Sequence, residues 1–154
     1  MKNKEIVTKF GFLMDTEENT LEAVFTALDN AVLLSVTNPE GIITCANDKF
    51  VEVSKYSREE LLGENHKMLK SGCHTTSFYQ ELWRTISSGK VWRGEIKDKA
   101  KDGTFYWLDA NISPIFDDFG KIQGYIAIRF LITDKKEMEE KLKDELGKRN
   151  HVKK

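Results

Sequence analysis

One carboxylate draws attention by its position. In the run Val91–Lys99, strand alternation assigns Trp92, Gly94, Ile96 and Asp98 to one face and Arg93, Glu95, Lys97 and Lys99 to the other. The first face is apolar and must turn inward. An ionisable group there is expensive to bury unless it is hydrogen-bonded or lies at the open end of the strand. Asp98 is therefore either a cap beside the following turn or a contact for a bound molecule. On the next run, Phe105–Ile112, residues Tyr106, Leu108, Ala110 and Ile112 share the inward face, which makes Leu108 the cross-strand neighbour of Asp98, or nearly so. A mostly apolar cavity with a few polar points is how small-molecule pockets are built.

Other chemistries find less support. The chain has three histidines and two cysteines, dispersed without the spacing of a metal site, so no metal is expected. His74 and Tyr79 are the candidates for an axial haem ligand, and neither sits in a supporting motif, which disfavours haem. There is no nucleophile elbow, no phosphate loop and no pair of carboxylates in a plausible cleft order, so catalytic turnover is not expected. Cys45 and Cys73 read as plain thiols in a reducing compartment.

Composition narrows the class further. The 154 residues suffice for one domain with a core and short flanking arms. With 24 basic against 25 acidic side chains the net charge is −1, and no stretch concentrates Lys and Arg, so nucleic acid is not an expected partner. The longest apolar runs, such as Ala31–Val36, are far shorter than the roughly 20 residues a bilayer requires. Residues Met1–Phe10 lack the apolar core of a secretory signal, and a cytoplasmic location is expected.

The elements that must position these residues follow from periodicity and punctuation. Asn19 with Glu22 predicts a capped helix carrying Leu21, Val24, Phe25 and Leu28 and ending near Asn30. Ala31–Thr37 and Ile42–Cys45 flank the turn Asn38-Pro39-Glu40-Gly41 and predict a hairpin. Phe50, Val51 and Val53 mark a short helix; Ser57 and Glu60 form a capping box for another that Gly63 stops. From Thr75 or Thr76 an amphipathic helix runs through Phe78, Leu82, Trp83 and Ile86 to Gly89. Three strands, Val91–Lys99, Phe105–Ile112 and Gln123–Thr133, are then separated by turns at 101–103 and 117–120 and predict an antiparallel meander.

The ends differ in character. After Asp134 comes a charged helix with Glu137, Glu139 and Glu145 each four residues before a Lys or Arg, and with Met138, Leu142 and Leu146 as its sole apolar stripe. At the other end Phe10, Phe12, Leu13 and Met14 predict a packing or dimer contact. The expected organisation is an N-terminal contact segment over residues 1–18, a sensory body over 19–134 and a charged linker or signalling helix over 135–154.

The order hairpin, short helices, long helix and meander, together with N-D-K-F, Y-S-R-E-E-L-L-G-E-N-H, L-W-R-T-I-S-S-G-K-V-W-R-G-E-I and K-D-G-T-F-Y-W, resembles a PAS domain from about Asn19 to Asp134. The pattern is similar in particular to the flavin-binding PAS domains of bacterial aerotaxis receptors and nitrogen-fixation redox regulators. That resemblance implies an α+β fold, a five-stranded antiparallel sheet with helices on one face, and a cofactor held between them. It implies FAD as that cofactor, with the ring against Trp92, Leu108 and the inner side of the meander, and with Asp98 where an Asn usually bonds the pyrimidine edge. An ionised Asp only accepts hydrogen bonds whereas Asn also donates, so this position departs from the pattern. Asn65 and His66 fall in the segment where light-oxygen-voltage photoreceptors carry their adduct-forming Cys, and an imidazole cannot form that adduct. Ser35 resembles a serine near the flavin, Trp83 matches an aromatic of the long helix, and Arg129 stands where photoreceptors have a flavin-sensing Gln. Where the family closes its last strand with D-I-T, this chain reads Leu131-Ile132-Thr133.

The function this implies is signal sensing without catalysis, in a homodimer that relays flavin redox state or ligand occupancy through its terminal helices to a kinase, chemoreceptor or cyclase type of partner. The competing expectation is a cofactor-free interaction module whose interior is filled by its own side chains.

Overall fold

The structure is a computed structural model and describes residues 17–152. The apolar cluster at Phe10–Met14 lies outside the described residues. Helix α1 (Glu17–Asp29) leads into strands β1 (Leu33–Thr37) and β2 (Ile43–Ala46), followed by α2 (Asp48–Ser54), α3 (Arg58–Leu61), a 3-10 turn (His66–Leu69) and α4 (Thr76–Ser87). Strands β3 (Trp92–Lys99), β4 (Phe105–Phe116) and β5 (Ile122–Leu131) follow, and α5 (Thr133–Val152) closes the described chain. The five strands form one antiparallel sheet in the order β2-β1-β5-β4-β3.

Local chemistry sets most boundaries. Asn47 caps α2 by accepting from Phe50 N, and its amide also bridges Val32 O and Leu34 N, tying the helix to β1. Ser57 and Glu60 close both halves of the capping box on α3, and Thr75 caps α4 by accepting from Phe78 N. α1 corrects an expectation. It begins at Glu17, so Asn19 lies inside the helix rather than at its cap; Leu21, Val24 and Phe25 are exposed. β4 runs four residues beyond the expected Ile112. Pro114 falls past the Trp92–Ile112 pair that ends the β3 ladder, where β4 is an edge and a missing N–H is tolerated.

The inner face of the sheet packs against α2, α3, the 3-10 turn and α4 in two clusters. Leu33, Ile43, Phe50, Leu61, Leu69 and Leu108 form one. Leu82, Ile86, Trp92, Ile96, Ala110 and Tyr125 form the other. Register corrects a second expectation: Leu108 stands opposite Ile96, and Asp98 stands opposite Tyr106.

The root of α5 is fastened to the outer face of the meander. Thr133 Oγ1 accepts from Trp107 N at 3.0 Å, and Ile132 N donates to Trp107 O at 2.9 Å. Lys136 Nζ sits 2.8 Å from Glu95 Oε1 and 4.6 Å from the Trp107 ring centroid. Beyond this turn Met138, Leu142 and Leu146 are exposed. No helix among the described residues is long and apolar enough to cross a membrane.

Candidate functional site

Between the sheet and the layer of short helices lies a cavity of about 750 Å³. Ile96, Ile112 and Ala127 form its sheet wall, Tyr79, Leu82, Trp83 and Ile86 of α4 the wall opposite, and Asn65, His66, Lys67 and Lys70 of the 3-10 segment one end. Apolar walls with a few convergent polar groups are what a ring-shaped small molecule needs.

Two charged side chains face this space from the sheet. Asp98 is 8% exposed and Arg129 3% exposed, and both line the cavity. Among the described residues the Asp98 carboxyl has no hydrogen bond and no ion pair, Arg129 included. Burial pushes its pKa up to about 7, against the smaller opposing pull of Arg129. Tyr106 on the neighbouring strand and Tyr79 on α4 have their phenols pushed up by burial and then by Asp98. Among the described residues the buried hydroxyls of Tyr79 and Tyr106 and the Nε of Arg129 have no hydrogen-bond partner. Such buried orphans ask for a partner from outside the chain.

Arg129 is held by what it does bond. Its Nη2 donates to Ser35 Oγ at 2.9 Å, and Ser35 Oγ lies 3.2 Å from His66 Nε2. Arginine only donates, so Ser35 Oγ accepts from it; the hydroxyl keeps a second acceptor site and its own proton, and the direction of its contact with His66 follows the imidazole tautomer. Burial, and then the charge of Arg129, pull the His66 pKa down to about 3, so the imidazole is neutral. The guanidinium also stacks over Phe50 at 4.3 Å, and His66 lies parallel to the same ring at 5.8 Å. Ser35 thus sits behind the cavity wall as a support.

His74 is fixed differently. Its Nε2 accepts from Lys97 N at 2.8 Å and its ring stacks on Phe78 at 4.1 Å, so the nitrogen a haem iron would need is already engaged. Trp83 lines the cavity and is partly exposed. It stands edge-on to Tyr125 at 5.9 Å, and its ring lies over Gly41, where an added Cβ would come within 2.7 Å. Gly41, at φ +85°, answers both the turn and this close approach.

Of the eight residues read from the sequence, the cavity gathers Asn65, His66, Trp83, Asp98 and Arg129 on its lining, with Ser35 bonded behind. Trp92 and Leu108 are packed in the core instead. Trp92 folds over Gly94 and stacks edge-on with Phe78 at 5.5 Å, and Leu108 is fully buried in the other cluster. Sequence reasoning did not single out Lys67, Lys70, Gln80 or Tyr125 as lining residues. Of these, Tyr125 carried a signal, because alternation back from Arg129 places it and Ala127 on the same inner face.

Comparison with known proteins settles the family. A PAS domain model matches residues 29–136. The chain belongs to the PAS domain family. This PAS domain is 38% identical over 119 residues to the aerotaxis receptor of Escherichia coli (strain K12), covering 77% of this chain and 22% of that protein. It is 33% identical over 129 residues to the nitrogen fixation regulatory protein of Klebsiella pneumoniae, covering 83% of this chain and 25% of that protein. The chain thus spans about a quarter of the length of these relatives. An RNA-binding light-oxygen-voltage receptor of known structure shares the fold with a TM-score of 0.71 at 22% identity, over 82% of this chain and 37% of that one.

Proposed function

We propose that this PAS domain is the sensory part of a signalling protein and that it holds a flavin, FAD, in the cavity between sheet and helices as a redox or oxygen sensor. The observation that carries this reading is the cavity itself: about 750 Å³, with Asp98 and Arg129 buried on its wall and not paired with each other. The residues fit the group. Ile96, Ile112, Leu82 and Ala127 offer flat apolar walls, and the unpartnered Nε of Arg129 is a donor for a ring carbonyl.

A bound flavin supplies reversible electron uptake. The protein's part is to orient, to exclude water and to feel a change of charge. Arg129 fixes one polar point through its bond to Ser35, and the neutral His66 keeps that point from being repelled by a second cation. A change at the inner face of β3 has a short path outward. Lys97 N is held by His74, which lines the cavity, while the Lys97 side chain leans over Phe105 and Trp107 on the outer face, where Lys136 anchors α5. Two arrangements of α5 on that surface would then be populated differently according to the state of the cavity.

A homodimer acting on a kinase, chemoreceptor or cyclase type of partner completes the proposal. The exposed Leu21, Val24 and Phe25 of α1 and Phe130 of β5 supply apolar surface for association. The same surface would serve a cofactor-free interaction module, but such a module has no use for a cavity of this size. The absorbance spectrum of the purified protein tests the reading: blue absorption in proportion to protein supports it, and a colourless protein that takes up no added FAD overturns it.

A further inference from the structure

We propose that the cavity takes its ring ligand together with a proton. Asp98 meets the ring edge as a neutral carboxylic acid, its O–H donating to a ring carbonyl and its C=O accepting from the adjacent ring N–H, so that ionisation of Asp98 releases the ligand. The proposal rests on the flavin reading for the identity of the ring.

The argument starts from donor and acceptor counts. A carboxamide at this position would offer one donor direction and one acceptor; an ionised carboxylate offers only acceptors, and a protonated carboxyl restores the pair. A carboxylate facing a ring carbonyl in a poorly solvated space would be both repelled and undersolvated. The geometry favours the neutral form. Asp98 is 8% exposed, opens on the cavity, and has no hydrogen bond or ion pair among the described residues. Its surroundings carry little to stabilise an anion. Tyr106 on β4 and Tyr79 on α4 face it with neutral phenols. His66 and His74 are both held toward the neutral form, the first by burial and Arg129, the second by burial and Lys97. Lys70, whose backbone bridges to Asp98, turns its ammonium onto the Tyr79 ring at 3.9 Å. Among the described residues Arg129 is the one buried cation on the wall, and its Nη2 donates to Ser35. Burial outweighs its pull and holds the Asp98 pKa near neutrality, about 7. The ligand and the proton therefore arrive as one thermodynamic unit within the physiological range.

The test is equilibrium dialysis of FAD against the full chain from pH 5.5 to 8.5, for the wild type and Asp98→Asn. The expected wild-type affinity is level at low pH and falls above pH 7 with a slope approaching about tenfold per pH unit, while Asp98→Asn is level throughout. Parallel profiles for the two proteins would overturn the proposal. A second measurement, the carboxyl carbon-13 titration of Asp98 in the ligand-free protein, separates this proposal from the flavin reading. If neither protein retains FAD, the flavin reading falls. A midpoint near neutrality then still supports a proton-carrying Asp98 for another imide-edged ring, and a midpoint at the ordinary aspartate value overturns it.

Discussion

Arg129 Nη2 donates to Ser35 Oγ at 2.9 Å across 94 residues of sequence, joining the last strand of the sheet to the first beneath the cavity floor. The placement of Arg129 on the cavity wall depends on this bond. It fixes a buried cation, while Arg129 Nε has no hydrogen-bond partner among the described residues.

Ser35→Ala removes a hydroxyl that serves two buried groups at once. The loss leaves the Arg129 guanidinium short of an acceptor in a water-poor site, at a cost of about 1–3 kcal/mol. Urea unfolding should report a lower midpoint with an unchanged denaturant slope. An unaltered midpoint would show that the bond contributes nothing to the folded state.

Asp98 and His66 pull stability in opposite directions with pH. The native state keeps the Asp98 proton up to about 7 against an ordinary 3.8, so Asp98 lowers stability as pH rises between those values. The native state refuses the His66 proton down to about 3 against an ordinary 6.5, so His66 lowers stability as pH falls through that range. Between about pH 4 and 6.5 the two slopes, each at most about 1.4 kcal/mol per pH unit, offset one another. Asp98→Asn should unmask the second, so that its stability relative to wild type grows by roughly 2 kcal/mol from pH 5 to pH 7. Denaturation at both pH values checks this, and a constant difference would contradict it. If flavin is bound, the same substitution should tighten retention at neutral pH.

Gly41→Ala tests the cavity mouth. The new methyl would meet the Trp83 ring at 2.7 Å on a backbone at φ +85°. Together these should cost about 1–3 kcal/mol and displace the ring. Tryptophan fluorescence should shift with the loss of stability; a variant with native emission and native stability would show that Trp83 is free to move aside.

Removing the residues after Asp134 should leave the body folded, with a melting temperature lowered by no more than about 5 °C. Among the described residues α5 is held to the sheet at its first turn, through the partly exposed Lys136–Glu95 pair and Trp107, and pairs of that kind add little. A large drop in scanning calorimetry would mean that the exposed Met138, Leu142 and Leu146 pack on something in solution.

The body of the fold could be read from local signals that act over a few residues. The Ser57–Glu60 box, the Thr75 cap and the alternation of β3 each record one short-range interaction, and the last of these already turned Asp98 inward. Register was harder. Pairing Asp98 with Tyr106 rather than Leu108 depends on the three-residue turn at 101–103 and on Ala100 bonding Thr104, which alternation alone does not fix. The family resemblance places Trp92 against the ring, yet with no side chain at Gly94 its own ring folds along the strand instead. The exit helix offers the converse case. Leu131 stands where the family pattern has an Asp, and the attachment observed, Lys136 on Glu95 and Trp107, joins elements far apart in sequence.

The most direct test of the central claim is the flavin content of wild-type protein against Ala127→Phe. Ala127 lies on the sheet wall of the cavity, 7% exposed, and a phenyl group there fills the space a ring would occupy. Wild type reconstituted with FAD should carry close to one flavin per chain after gel filtration, and Ala127→Phe, folded by circular dichroism, should carry almost none. Equal flavin on both proteins, or none on the wild type, would contradict the claim that this cavity is the flavin site.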